Sequence, residues 1–372
     1  MKVFVIGARG FPHVQGGIEK YCEELYSRLA KKNNVDITGL VIPNYYKKNV
    51  ENWEGIKFIY IRSLKSKNYE KILYGLLASL ITIIKKPDIA HFHGLSCCLY
   101  IPLVKLFNIK VILTFQSRDY LYPKWGKIAK YVWRLSEKAA LKSDQIIAVS
   151  HAHMEYIKNY TNKVVRIPNG VEINHLDISN NEEGYFLRKY GLEKQGYIFF
   201  AGRFTPEKAI EDLVTAYEQL GTDKWKLVLA GDADHEDSYS RKIKNRIQRI
   251  KNIILTGFIT GKELQALFAN AKLFVLPSKF EGLPHVLLEA VSFNIEVLAS
   301  NIEANLQINL DKDSYFEQGN IEDLKQKVRF LLENETPNEV KLRRMEMIRK
   351  EYNWETISEK IYGLYETLCQ DR

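Results

Sequence analysis

Two carboxylates, Glu281 and Glu289, bracket the stretch EGLPHVLLEA (residues 281–290), with seven residues between them. A helix that begins near Pro284 leaves Glu281 in the preceding loop and sets Glu289 in the second turn. Proline costs little there, because its missing N–H would have had no partner in the first turn. The N-terminus of a helix carries N–H groups without intrahelical acceptors and a positive dipole, which suits a phosphate. The stretch therefore reads as a phosphate-plus-hydroxyl site; the alternative is a surface helix with two solvated glutamates. A second candidate is AGRFTPEKAIEDL (201–213), where Arg203 and Lys208 bracket a turn before another helix. Arginine supplies a bidentate fork and lysine a point charge, so the pair reads either as a diphosphate clamp or as ordinary solvated charge.

Three weaker signals follow. GARGFPHVQGGIEKY (7–21) is a glycine-rich loop running into a helix, with Gly7, Gly10, Gly16 and Gly17. That spacing does not fit the GxGxxG dinucleotide fingerprint, which leaves a structural turn or close backbone approach to another ligand. HFHG (91–94) ends an apolar run; His91 and His93 could start a metal site, but no third ligand is placed, and one histidine facing a cleft is the reading taken. GDADHED (231–237) holds Asp232 and Asp234, a pair able to hold Mg²⁺ but common in loops by chance, and it is read as a loop.

These residues need elements to position them. Short apolar runs alternate with helical patterns through both halves: VFVIG (3–7), DITGLVI (36–42), IKFIYI (56–61), IAHFHG (89–94), VILTF (111–115) and QIIAVS (145–150), then YIFFAG (197–202), WKLVLAG (225–231), NIILTG (252–257), LFVLPS (273–278) and EVLAS (296–300). Near-continuous hydrophobic runs are what strands buried on both faces of a parallel sheet require. Between them Ile18, Tyr21, Cys22, Leu25 and Leu29 share one helical face, as do Ile210, Leu213, Val214, Tyr217 and Leu220. The prediction is α/β, with two doubly wound Rossmann-like domains. The polar, turn-rich IPNGVEINHLDISNNEEG (167–184) is read as the linker. The expected domains are residues 1–168 and 169–352, followed by a C-terminal helix over 353–372. In such sheets ligands bind beyond the carboxyl ends of the strands, where the candidate residues fall.

With 372 residues, two domains are comfortable, and 46% hydrophobic with 27% charged residues is ordinary for a globular chain. The net charge of +9 favours an anionic partner. No zinc-finger, RRM or homeodomain pattern occurs, so nucleic acid is not expected. Cys22, Cys97, Cys98 and Cys369 form no CxxC pair and read as reduced thiols of a cytoplasmic protein. MKVFVIGARG reads as a strand and glycine turn rather than a signal peptide. The run ILYGLLASLITII (72–84) is too short to span a bilayer and is read as a buried helix.

Taken together, the glycine loop GARGFPHVQGGIEKY, the segment AGRFTPEKAIEDLVTA and the stretch TGFITGKELQALFANAKLFVLPSKFEGLPHVLLEA resemble the retaining glycosyltransferases of family 4. RDYLYPKWGKIAKYVWRLSEKAALKSDQIIAVS (118–150) is similar to a segment of the bacterial polysaccharide and rhamnosyl transferases of that family. The resemblance implies a GT-B fold, with two Rossmann-like domains facing a central cleft. It places Glu281 on the donor sugar's hydroxyls and Glu289 on the nucleotide ribose. Gly282, Leu283, Pro284 and His285 would present backbone to the diphosphate, with Pro284 lacking an N–H to give. Arg203 and Lys208 match its phosphate-binding cations, Gly16 and Gly17 match glycines that pack against the diphosphate, and His93 matches a cleft histidine near the donor sugar.

The implied reaction moves a sugar from a nucleotide-diphosphate donor to a glycan hydroxyl with retention, without metal or other cofactor. The implied acceptor is a lipid-linked glycan at the inner face of the cytoplasmic membrane. KWGKIAKYVWR (124–134) reads as an interfacial helix in contact with anionic lipid, or as a basic solvated helix with core aromatics. YNWETISEKIYGLYETL (352–368) is amphipathic and, by the resemblance, crosses back to the first domain. Three residues depart from the family pattern: Ala209 replaces a usual glycine, Gln116 a frequent histidine and Tyr122 an arginine. The alternatives are a GT-B nucleotide-sugar epimerase and a non-catalytic nucleotide-sugar-binding subunit.

Overall fold

The computed structural model describes residues 1–46, 50–63, 70–118, 120, 126–173, 178–233 and 236–370. Two compact units form, Met1–Asn169 with Trp354–Arg372, and Gly170–Asn353. The first is built on eight strands: β1 (Lys2–Ile6), β2 (Asp36–Val41), β3 (Asn52–Trp53), β4 (Ile56–Tyr60), β5 (Ile89–His93), β6 (Lys110–Phe115), β7 (Gln145–Ala148) and β8 (Val164–Arg166). Their order is β3-β4-β2-β1-β5-β6-β7-β8, parallel except for the β3–β4 pair. The helices are α1 (Gly17–Leu29), α2 (Glu70–Lys85), α3 (Ile101–Lys105), α4 (Lys127–Ala140) and α5 (His151–Lys158).

Alternation along each strand sorts the core into two layers. Phe4, Ile6, Leu40, Ala90, Phe92, Val111 and Leu113 pack with α2, α3, α4 and α5 on one face. Val3, Val5, Ile37, Val41, Ile89, Ile112 and Ile147 pack on the other face with α1 and the last helix of the chain. A period of two is what strands impose, and burial of each large side chain contributes about 1.5–3 kcal/mol.

In the second unit the strands are β9 (Tyr197–Ala201), β10 (Lys226–Ala230), β11 (Ile253–Gly257), β12 (Leu273–Leu276), β13 (Glu296–Ser300) and β14 (Tyr315–Phe316), in the parallel order β11-β10-β9-β12-β13-β14. Its helices are α6 (Asn180–Lys189), α7 (Ile210–Leu220), α8 (Ser238–Ile247), α9 (Gly261–Ala269), α10 (His285–Ser292), α11 (Glu303–Leu306), α12 (Ile321–Glu333) and α13 (Asn338–Glu351). Phe268 joins the sheet aromatics to α10, stacking on Phe293 with ring centroids 5.5 Å apart and meeting Phe199 edge-on at 5.0 Å. The chain then returns to the first unit as α14 (Trp354–Gln370), whose Trp354, Ile357, Ile361 and Tyr365 are buried in the α1 layer.

Two expectations are corrected. The stretch 167–184 is not linker throughout: it runs into α6, started by a capping box in which Ser179 and Glu182 exchange hydrogen bonds. Residues 174–177 lie outside the described residues. The run 72–84 is helical but not a buried helix, because Leu80 and Ile84 face solvent.

Candidate active site

The second unit assembles its site where strands end. β12, Leu-Phe-Val-Leu, is wholly buried and stops at Pro277-Ser278. Ser278 Oγ donates to Glu281 Oε1 at 2.6 Å, and the Ser278 carbonyl accepts from Ser300 Oγ at 2.5 Å. Asn305 Nδ2 donates to the Ser300 carbonyl at 2.8 Å, and Gln307 Nε2 donates to the Gly282 carbonyl at 3.1 Å. The loop carrying Glu281 and Gly282 is thus pinned by side chains from the β13–α11 region. Nothing in the sequence reading singled out Ser278, Ser300, Asn305 or Gln307, and only their three-dimensional neighbourhood marks them.

The opposing cation comes from the loop after β9. Gly202 and Arg203 leave the sheet, and Pro206–Lys208 form a single 3-10 turn before α7. Lys208 Nζ lies 2.5 Å from Glu281 Oε1, with both side chains largely shielded from solvent. The Lys279 N–H donates to the Glu207 carbonyl at 2.8 Å and ties the two loops together. Gly231, at φ +126°, lies so close to the Gly202 carbonyl that a Cβ would sit 1.9 Å from its oxygen; only glycine fits. Removing one partner of a shielded ion pair leaves a charge uncompensated, at about 3–5 kcal/mol.

Pro284 is the N-cap of α10 rather than its first residue, with extended backbone at φ −76°, ψ 107°. Leu283 and Pro284 are buried, His285 opens the helix, and half-buried Glu289 lies in the second turn. Lys208 and Glu281 are therefore in direct contact, Arg203 leaves the carboxyl edge of the same sheet, and Gly282–Pro284 connect Glu281 to the start of α10. Asp232 is held by Lys244 Nζ at 2.6 Å; Asp234 lies outside the described residues. Among the described residues no group of three or more His, Cys, Asp or Glu side chains could hold a metal ion.

In the first unit, Gly16 precedes α1 at φ +147°, and a Cβ there would lie 1.9 Å from Glu19 Oε2. Glu19 is fully buried and accepts from Arg9 Nε at 2.9 Å and from the Arg9 N–H at 3.2 Å. Burial opposes its ionisation, yet the adjacent Arg9 guanidinium holds its carboxyl below the usual value. Arg9 also reaches the Gln15 carbonyl, so the pair closes the glycine loop on itself. Opposite charges at the two ends of that loop were the overlooked signal.

His93 ends β5 and is fully buried. Residues two apart on a strand share a face, and His91 and His93 both point into the layer beneath α1 and α14, fully buried. Their rings stack at 4.3 Å. Tyr26 Oη lies 2.7 Å from His93 Nε2 and 3.0 Å from His91 Nδ1. Tyr365 Oη of α14 lies 2.6 Å from the same His91 nitrogen, and Thr114 Oγ1 lies 2.8 Å from His91 Nε2. Burial drives the His93 pKa down to about 3 and that of His91 well below its ordinary value. Gln116, just past β6, is buried, and its amide Nε2 has no hydrogen-bond partner among the described residues; Tyr122 lies outside the described residues.

Comparison with known proteins gives these features a class. Residues 15–175 match the profile described as Glycosyltransferase Family 4, and residues 186–354 match that described as Glycosyl transferases group 1. The chain belongs to the family 4 glycosyltransferases, and its fold is GT-B. It is 27% identical over 185 residues to the O-antigen chain mannosyltransferase B of Escherichia coli, covering 49% of each chain, so it spans about half the length of that relative. It is 25% identical over 369 residues to an uncharacterized glycosyltransferase of Methanocaldococcus jannaschii, covering 96% of each. Sucrose-phosphate synthase from Thermosynechococcus elongatus has the same fold, with a TM-score of 0.84 at 19% identity over the full length of both chains. Anabaena HepE in complex with UDP-glucose superposes with a TM-score of 0.79 at 14% identity, covering 98% of this chain and 99% of that one.

Proposed function

We propose that this glycosyltransferase moves a sugar from a nucleoside-diphosphate sugar to a hydroxyl of a glycan, with retention of anomeric configuration, in the synthesis of a bacterial surface polysaccharide. The observation that carries the reading is the Lys208–Glu281 contact in the loop that opens α10, with Arg203 on the same sheet edge. An ammonium has three N–H donors, so Lys208 can hold Glu281 and a phosphate oxygen together. The donors on Glu281 both fall on Oε1, and its second oxygen is the one offered to a sugar hydroxyl. Glu289, one turn further along α10, takes the ribose.

As the bond from the anomeric carbon to the diphosphate oxygen breaks, negative charge grows on the leaving group. Arg203, Lys208 and the α10 N-terminus stabilise it, the kind of effect that is usually largest in such sites. The acceptor oxygen forms its bond to the anomeric carbon on the same face, and its proton passes to the departing phosphate. Fixed cations supply the charge that a metal would, so the reaction runs without one. The acceptor is a lipid-linked glycan, met by a cytoplasmic protein at the inner face of the membrane.

The test is release of free nucleoside diphosphate from UDP-, GDP- and dTDP-sugars, with and without acceptor extract and with EDTA. Acceptor-dependent release that survives EDTA and falls by roughly 30- to 1000-fold in Lys208→Ala supports the reading. Lys208→Ala turnover within about threefold of wild type at saturating donor overturns the assignment of Lys208. Conversion of the donor sugar without acceptor indicates an epimerase, and binding without turnover a non-catalytic subunit. Loss of activity in EDTA with rescue by one metal overturns the metal-free mechanism.

A further inference from the structure

The outer surface of the α2–α3–α4 layer in the first unit is built unlike the rest of that unit. Along α2, Ile72, Leu76, Leu80 and Ile84 recur every four residues and form one stripe. Their neighbours Tyr74, Leu77, Ala78, Ile81 and Ile83 pack into the core, whereas Ile72 and Leu76 are half-buried and the stripe ends in exposed side chains. Leu80 is 42% exposed and Ile84 76%. Directly after α3, which packs between α2 and α4, Leu106 is 79% exposed and Phe107 is also exposed. On α4 the outward positions Ile128 (84% exposed) and Tyr131 are interleaved with exposed Lys127, Arg134 and Lys138. Trp133 turns inward and packs on the core. All three helices cover the same sheet face, so these side chains project outward from a single layer.

The charge on this layer is one-sided. Residues 71–143 contain twelve Lys and Arg against three Asp and Glu, an excess equal to the +9 of the entire chain. Of the three acids, Glu137 is buried against Tyr120, Asp88 accepts the Lys2 N–H at 2.8 Å, and Asp119 lies outside the described residues. Among the described residues of this segment no carboxylate is exposed beside the apolar stripe. A surface combining large exposed apolar side chains with lysine and arginine matches the headgroup–acyl boundary of an anionic bilayer. A second copy of the same face would be repelled by its own charge. No helix of the described residues is long and apolar enough to cross a membrane.

We propose that the outer face of α2, α3 and α4 docks this chain flat on an anionic lipid surface, with Leu80, Ile84, Leu106 and Ile128 entering the interface and the lysines and arginines meeting lipid phosphates. The proposal rests on the membrane-contact part of the proposed function and names its surface, but its test does not depend on sugar transfer.

The experiment is flotation of the full chain with phosphatidylglycerol-containing vesicles and with pure phosphatidylcholine vesicles, at low and high salt. The expected result is binding to the anionic vesicles alone, weakened by salt. Leu80→Glu/Ile84→Glu lowers the partition coefficient more than tenfold. Lys127→Gln/Lys138→Gln lowers it about fivefold per lysine. Every altered side chain is exposed, and an unchanged thermal midpoint and nucleotide binding show that the variants fold. No binding of the wild type to anionic vesicles overturns both this proposal and the membrane contact, while leaving the transfer reaction standing. Binding that Leu80→Glu/Ile84→Glu leaves intact overturns this surface alone. Self-association in sedimentation that the same double variant abolishes, with no vesicle binding, makes the face a protein interface and overturns the proposal.

Discussion

Glu281 and Glu289 are alike in charge and differ in setting. Glu281 is held by Lys208 and Ser278 in a pinned loop, whereas Glu289 stands on a helix. A hydrogen bond to a charged group contributes roughly 1.5–3 kcal/mol. Glu289→Gln is therefore expected to weaken binding of the free nucleoside diphosphate as much as that of the whole donor. Glu281→Gln is expected to lower turnover and leave diphosphate affinity nearly unchanged, because its proposed partner is the sugar as it approaches its transition state. Calorimetry with the diphosphate alone and initial rates with the full donor separate the two. Lost diphosphate affinity in Glu281→Gln with retained affinity in Glu289→Gln would mean the roles are exchanged.

At the scale of elements, the entry into α7 places an alanine where the backbone favours glycine. Ala209 sits at φ +49°, ψ 40°, the left-handed region, between the Pro206–Lys208 turn and α7, and it is fully buried. That backbone costs an L-residue about 1–2 kcal/mol, which glycine escapes at an entropic cost of about 0.5–1 kcal/mol. Ala209→Gly is expected to stabilise the second unit by roughly 0.5–1 kcal/mol in denaturant unfolding. A loss of stability instead would show that the buried methyl outweighs the backbone strain. The same geometry accounts for Gly16, where the Arg9–Glu19 pair occupies the space a side chain would need.

At the scale of the whole molecule, the buried His91–His93 pair joins α1, β5, β6 and α14 through Tyr26, Thr114 and Tyr365. Both histidines are neutral in the fold because burial lowers their pKa, that of His93 to about 3, while the unfolded chain titrates near 6.5. The unfolded state then binds more protons between these values, so stability is complete above about pH 6.5 and is lost as pH falls toward 3. Each histidine contributes a slope of at most about 1.4 kcal/mol per pH unit. Urea unfolding of the first unit at pH 8 and pH 5 is expected to differ by about 2 kcal/mol from His93, with a contribution of the same sign from His91, and His93→Gln to remove the His93 share. Equal stability at both values would exclude neutral burial as the source.

Much of this arrangement could be read from local pattern. Every long strand coincides with a mostly apolar run, since a strand covered on both faces admits a polar residue only where it finds a partner, as His91, His93 and Thr114 do. The loop position of Glu281 is legible from Pro284, and the turn before α7 lies in the stretch that Arg203 and Lys208 bracket. The short edge strands Asn52–Trp53, Val164–Arg166 and Tyr315–Phe316 escaped, because two or three residues carry no period. The surroundings of His91 and His93 were not legible, because a strand's alternation says which residues share a face but not which element covers it; Tyr365 of α14, 274 residues from His91, helps cover this one. The Lys208–Glu281 contact, the pinning of Glu281 by Ser278, the Arg9–Glu19 clasp and the exposure of Leu80 and Ile84 were likewise decided only by tertiary structure. Each depends on which distant segments the sheet order brings side by side, and that is a property of packing between elements.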